Sequence, residues 1–86
     1  MRAIVFAADR SGNSWDVGEF HEPLTALWVL EAQRQLHPHR AHGVYDPDDP
    51  EKGDIQSELE ELLKFDLNDI SAIIEAAIAE ARSKNA

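Results

Sequence analysis

The chain has 86 residues, no cysteine, and a formal net charge of −9 at pH 7. This length specifies one small domain with little room for a deep pocket, so we expect neither catalytic activity nor a cofactor. The lack of cysteine excludes disulfide bonds and thiolate metal sites, and it favours a cytoplasmic location. The longest apolar run, residues 24–30, is far shorter than the roughly 20 residues of a membrane span, so no membrane association is expected.

The N-terminal part of the chain predicts a β-hairpin. Ala3–Ala8 is apolar and rich in strand-forming side chains. Residues 11–14 form a strong turn signal, and residues 15–20 then alternate in part between apolar and polar side chains. Gly18 indicates a weak point or a β-bulge in this second strand. Because an isolated hairpin is marginally stable, it must pack on helices or gain a third strand, for which residues 43–45 are the candidate.

The first helix is predicted over Pro23–Leu36. A proline suits the first helical position because its missing N–H would have no partner there. Pro38 disfavours helical backbone at the residue before it, so the helix should end near Leu36.

A second helix is predicted near Ser57. Ser57 and Glu60 match a capping box, and Asp54 is an alternative cap. The helical spacing of the following leucines indicates that three of them point toward the core: Leu59, Leu62 and Leu63.

The most regular pattern lies in residues 67–81, whose apolar side chains recur at helical spacing and predict a strongly amphipathic helix. Asp66 is predicted to cap this helix, with Phe65 forming a hydrophobic staple. Packing against the first helix and the hairpin is the default interpretation. The alternative is a homodimer, or a structural subunit, that self-associates through three isoleucines of the stripe: Ile70, Ile74 and Ile78.

Together these elements predict an α+β fold in which an N-terminal hairpin, extended to three short strands if residues 43–45 join it, packs against three helices. Residues 1–86 should form a single acidic domain, with residues 38–54 as a long and mobile loop. An almost all-α arrangement with one short strand is the alternative.

Acidic residues are concentrated in residues 46–61, which contain eight carboxylates against Lys52 and so carry −7 of the net charge. Such a surface is suited to a basic protein partner, which it would attract in the manner of a nucleic-acid phosphate backbone. An aromatic side chain would then supply affinity. The predicted partner-binding residues are Asp48, Asp49, Glu51, Asp54, Glu58, Glu61, Trp15 and Tyr45.

Histidines offer a second interpretation, a metal-binding protein. Three of them lie within six residues, and imidazole nitrogens with a nearby carboxylate are common metal ligands. Pro38 argues against a compact site because it extends the backbone between the histidines. The candidate ligands are His37, His39, His42 and Asp46.

Other classes of function have little support in the sequence. There is no nucleophile elbow, phosphate-binding glycine loop or zinc-protease motif. A pI near 4.6 argues against direct nucleic-acid binding, which needs a basic face. The sequence therefore favours a non-catalytic accessory or inhibitory protein that binds a partner, with metal binding and self-association as the alternatives.

Overall fold

The protein is described by a computed structural model that covers residues 1–64 and 67–84. It confirms the α+β fold, with three strands and three α-helices among these residues. The elements in chain order are β1 (Ala3–Ala8), β2 (Ser14–Phe20), α1 (Pro23–Leu36), β3 (Ala41–Tyr45), a 3₁₀ turn (Pro50–Lys52), α2 (Gln56–Leu63) and α3 (Leu67–Lys84).

The sheet is antiparallel, with strand order β2-β1-β3, so the N-terminal strand lies in the centre. Residues 43–45 do join the sheet, and the third strand begins two residues before them. Asp9 closes the β1–β2 turn by accepting hydrogen bonds from the backbone N–H groups of Ser11 and Asn13, each at 3.0 Å. Hydrogen bonds from Asn13 and Ser11 lower the pKa of the Asp9 carboxyl.

A β-bulge interrupts the pairing of β1 with β2. Val5 pairs with Gly18, whereas the next residue, Phe6, pairs with Asp16, so Val17 is the extra residue on β2. Gly18, the residue at which the sequence indicates a bulge, lies beside it. The consequence is that the side chains on either side of Val17 no longer alternate regularly along β2.

The core lies between one face of the sheet and the helices. Val5 of β1 and Val44 of β3 pair with each other and are fully buried against the apolar face of α1. The helix α1 also packs against α2 and α3. The buried cluster consists of Ala3, Val5, Ala26, Leu27, Leu30, Val44, Ile55, Leu59, Ile70 and Ile74.

The boundaries of α1 agree with the sequence, but those of α2 do not. The capping box at Ser57 is wrong, because α2 begins at Gln56 and Ser57 lies inside it. Asp54 is not the cap residue either, because Ile55 occupies that position and makes no side-chain cap hydrogen bond. Asp54 precedes it, and its Oδ1 accepts a hydrogen bond from the N–H of the first helical residue, Gln56, at 2.8 Å. Leu62 is also not in the core, since 66% of it is exposed.

Residues 38–54 are more regular than the sequence indicates, because β3 and the 3₁₀ turn lie within them. The isolated bridge between Tyr45 and Asp54 also holds the end of this segment against β3. The predicted cap and staple at Phe65 and Asp66 lie outside the described residues. Among the residues that are described, no helix has the length and apolar content needed to cross a membrane.

Candidate functional site

The two faces of the central strand have different environments. Ala3, Val5 and Ala7 are fully buried on the side of the helices, whereas the alternate residues Ile4, Phe6 and Ala8 remain partly exposed. Residues that pair directly across strands share a face, so the partners of these three residues lie on the same side of the sheet. We call this side the open face.

An aromatic pair lies at the centre of the open face. The rings of Phe6 and Tyr45 are 5.9 Å apart between centroids and are tilted by 56°. Gly43 pairs with Phe6, and a Cβ placed at Gly43 would come within 2.7 Å of two Phe6 ring atoms. The missing side chain at position 43 therefore lets the Phe6 ring lie directly on the neighbouring strand.

A shallow depression of about 410 Å³ adjoins this pair. Its lining is formed by residues of all three strands: Phe6, Ser14, Trp15, Asp16 and Tyr45. Of the two aromatic anchors that the sequence suggests, Tyr45 lies on the open face, because it pairs with Ile4. Trp15 pairs with the buried Ala7, so it borders the depression from the covered side of β2. Trp15 remains 39% exposed, and the Arg40 guanidinium carbon lies 5.2 Å from the centroid of its ring.

Asp16 provides the charge of the depression. Its two carboxylate oxygens lie 3.4 and 3.5 Å from the Tyr45 hydroxyl, which is long for such a hydrogen bond. Burial and the neighbouring Asp16 charge raise the pKa of Tyr45, so its hydroxyl keeps its proton at neutral pH. Among residues 1–64 and 67–84, no cationic side chain pairs with Asp16.

Arg2 neutralises part of the charge at one end of the open face. Its guanidinium donates to Glu19 at 2.6 and 2.9 Å and to Asp48 at 2.8 Å. The hydrogen bond to Glu19 and the charges of both acids raise the pKa of Arg2 further. Two carboxylates therefore share one cation, and this end of the face keeps a net negative charge.

The acidic residues predicted to bind a partner divide between two surfaces. Asp48 and Asp54 lie beside the sheet, Asp54 next to Gly43. Glu58 and Glu61 lie on the outer side of α2, where they border a second depression with Leu62. Asp49 and Glu51 belong to the segment that connects the two surfaces, and Lys52 in that segment pairs with Glu58 at 3.7 Å.

The histidines do not assemble into a metal site. In the described part of the chain, no group of three or more His, Asp or Glu side chains is placed to hold a metal ion. His37 and His39 lie near Arg40 at the end of the sheet away from Asp48, and Asp46 lies beyond the opposite end of β3. The metal interpretation thus has no geometric support among those residues.

His42 has a different role from the other histidines. It pairs with the buried Ala7, and both of its ring nitrogens are buried without a hydrogen-bond partner among the described residues. Burial, together with the positive charge of Arg34, lowers the pKa of His42. This imidazole is therefore a neutral packing group at the margin of the core.

The three isoleucines of the self-association hypothesis contact the rest of the chain. Ile70 and Ile74 are buried, and Ile78 packs partly against the same core. Ile73, 57% exposed, is the large apolar side chain that α3 presents to solvent among its described residues. Self-association through α3 stays a prediction, but its contact surface would have to include Ile73.

Sequence reasoning did not identify three residues of the open face: Phe6, Asp16 and Gly43. Phe6 was assigned to a buried strand, and no local pattern shows that β3 would place a glycine beneath it. The alternation along β1 was the one available signal, since it divides the strand into two faces. Comparison of the chain with family models, with curated proteins and with solved structures finds no match.

Proposed function

We propose that the protein is a small, non-catalytic module that binds a basic surface of another protein through the open face of its sheet. The observation that carries this proposal is the depression beside Phe6 and Tyr45, where an aromatic surface is combined with the unneutralised carboxylate of Asp16. Binding of a basic protein surface needs complementary charge and an aromatic anchor, and it needs no catalytic base.

The charge of the chain contributes to association in a second way. With a net charge of −9, the protein attracts basic partners over distances of about a Debye length, which increases the association rate at low salt. The acids of residues 46–61 would act in place of the phosphates that a nucleic-acid-binding partner contacts. Such a role fits an accessory or inhibitory protein.

Two variants with the same change in charge test which acidic surface binds. The sheet variant carries Asp16→Asn and Asp48→Asn, and the helix variant carries Glu58→Gln and Glu61→Gln. Each loses two negative charges, and all four side chains lie at the surface. Proteins retained from a lysate of the source cells at low salt are identified, and their affinity for purified wild type and variants is then measured by calorimetry.

The proposal expects the sheet variant to lose the partner and the helix variant to keep most of its affinity. Affinity should also fall as salt is raised, because exposed charge interactions are screened. Equal affinity of wild type and the sheet variant for every retained protein would contradict the proposal. Circular dichroism of both variants checks that the fold is unchanged.

Self-association is the second candidate function, favoured by two large apolar side chains on the helical side. Leu62 of α2 is 66% exposed and Ile73 of α3 is 57% exposed. Sedimentation of wild type and an Ile73→Glu variant over a range of concentrations tests it. A dimer that the substitution dissociates would support this function, and a monomer at every concentration would exclude it.

A further inference from the structure

We infer that the depression on the open face receives an arginine side chain of the basic partner, with the guanidinium against the aromatic rings and paired with Asp16. This inference rests on the proposed function and names its central contact. It involves the five lining residues already described: Phe6, Ser14, Trp15, Asp16 and Tyr45.

The lining combines the two groups that a guanidinium binds best. Aromatic ring faces attract cations, and a carboxylate accepts two parallel hydrogen bonds from the planar guanidinium. Of the five lining residues, Phe6 and Tyr45 place aromatic rings on the open face and Asp16 places a carboxylate there. Arginine fits this set better than lysine, because its flat, weakly hydrated head can stack and pair at once.

Trp15 already stacks with a guanidinium within the chain. The Arg40 group lies over its ring at 5.2 Å from the centroid, inside the range of a cation–π contact. Arg40 is not part of the lining of the depression. Because Trp15 pairs with the buried Ala7, this contact lies on the covered side, and the aromatic rings that the open face offers to a partner are those of Phe6 and Tyr45.

Among the described residues, no cationic side chain pairs with Asp16, so its carboxylate can pair with a cation of the partner. Arg2 is engaged by Glu19 and Asp48, and Asp16 has only the long contacts with the Tyr45 hydroxyl among the described residues. A donating hydroxyl satisfies one lone pair of a carboxylate, which leaves the others to accept from an incoming guanidinium. Charge complementarity therefore points to a cationic occupant.

The shape of the depression favours a side chain of a protein surface over a free small molecule. Sites for small molecules enclose most of their ligand within a concave pocket. Here the lining is a shallow part of an exposed sheet face, so an occupant must be held by contacts outside the depression as well. The remaining contacts would come from the acids beside the sheet, such as Asp48.

The test uses a blocked glycine–serine peptide with one central arginine and an otherwise identical peptide with citrulline, the neutral isostere of arginine. Binding to the isotope-labelled protein is measured by NMR titration, which detects weak complexes and locates them. We expect amide shifts at Phe6, residues 14–16 and Tyr45. The citrulline peptide should bind about fivefold to tenfold more weakly, the sum of one exposed cation–π contact and one exposed ion pair.

Asp16→Asn and Glu61→Gln provide matched variants, since each removes one negative charge. Asp16→Asn should reduce the difference between the two peptides, whereas Glu61→Gln on α2 should preserve it. If both variants preserve the difference, or if the shifts map to α2, the arginine inference is overturned while binding of a basic partner stands. If neither peptide binds even at low salt, and no retained protein distinguishes the sheet variant, the inference and the proposed function both fail.

Discussion

The two faces of the sheet belong to the same three strands but have different environments. On the covered face, small and branched side chains such as Val5 and Val44 pack against α1 and exclude water. On the open face, Phe6 and Tyr45 form a partly exposed aromatic surface that is bordered by carboxylates. The covered face contributes most of the stability, and the open face can therefore carry side chains that are not needed for the core.

This difference also explains where charge is tolerated. Burying an ion without a partner costs several kcal/mol, so no charged side chain is buried among the described residues. Many of the acids are instead exposed at the open face, on the outer side of α2 and along α3, where water and counterions solvate them.

The largest expected effect comes from removing volume on the covered side. Leu27 of α1 is fully buried, so Leu27→Ala should lower the free energy of unfolding by roughly 2–5 kcal/mol through lost burial and a cavity. Leu24→Ala, on the same helix but 43% exposed, is the matched control and should cost less than about 1 kcal/mol. Urea unfolding followed by circular dichroism measures both. Similar losses for the two variants would mean that α1 does not pack on the sheet as described.

A smaller effect is expected at Gly43, which tests how closely the open face is packed. Gly43→Ala places a Cβ within 2.7 Å of the Phe6 ring, which should cost roughly 1–3 kcal/mol as the ring moves. In a Phe6→Ala background the clash is absent, so the same substitution should cost less. Urea unfolding of the double-mutant cycle measures this coupling. Additive effects would show that Phe6 does not lie over Gly43.

The Asp54 hydrogen bond to the first N–H of α2 should have an effect of about 1 kcal/mol, similar to that of a helix cap. Asp54→Ala removes the acceptor for the Gln56 N–H and should destabilise the fold by that amount. Ser57→Ala is the control, and it should be nearly neutral because Ser57 lies inside the helix and no side-chain cap hydrogen bond is made there. Thermal unfolding of the two variants compares them. A larger loss at Ser57 would restore the capping box that the sequence suggests.

The dependence of stability on pH offers a further test of the difference between the two faces, because His42 is a titratable side chain on the covered side. Its folded pKa is below the ordinary value of 6.5, owing to burial and to the positive charges of Arg34, His37 and Arg40. Below pH 6.5 the unfolded chain therefore binds more protons, and the free energy of unfolding should fall as the pH drops. Above that value the imidazole is neutral in both states and adds no slope.

A His42→Gln variant isolates this contribution from the other titrating groups. Urea unfolding of wild type and variant between mildly acidic and neutral pH should give a steeper loss for wild type on acidification. Parallel curves would show that His42 is solvated in the folded chain.

Much of the local structure was predictable because its causes are local. The apolar composition of β1, the proline at the start of α1 and the helical spacing of α3 each act within a few residues. The predictions that were wrong depended on distant neighbours. Serine is a common capping residue, which favoured a helix start at Ser57. In the structure, Asp54 is held against β3 by its bridge to Tyr45, and the helix begins at Gln56, one residue before Ser57.

Leu59 and Leu62 show the same limit within one helix. Both are leucines at helical spacing, yet one is buried and the other is 66% exposed. The spacing of the leucines predicts that α2 has an apolar side. How much of that side is buried depends on where α1 packs against it. The position of α1 relative to α2 cannot be read from the spacing of residues within α2.

The sequence by itself determined a small α+β domain with an amphipathic last helix and a strongly acidic central segment, since propensity, periodicity and charge are properties of short stretches. Only the tertiary structure decided that Phe6 and Tyr45, separated by 39 positions in the sequence, would border one depression with Asp16. It did so because β2 and β3 pair with opposite edges of β1, and register, which depends on long-range hydrogen bonding, fixes which side chains meet.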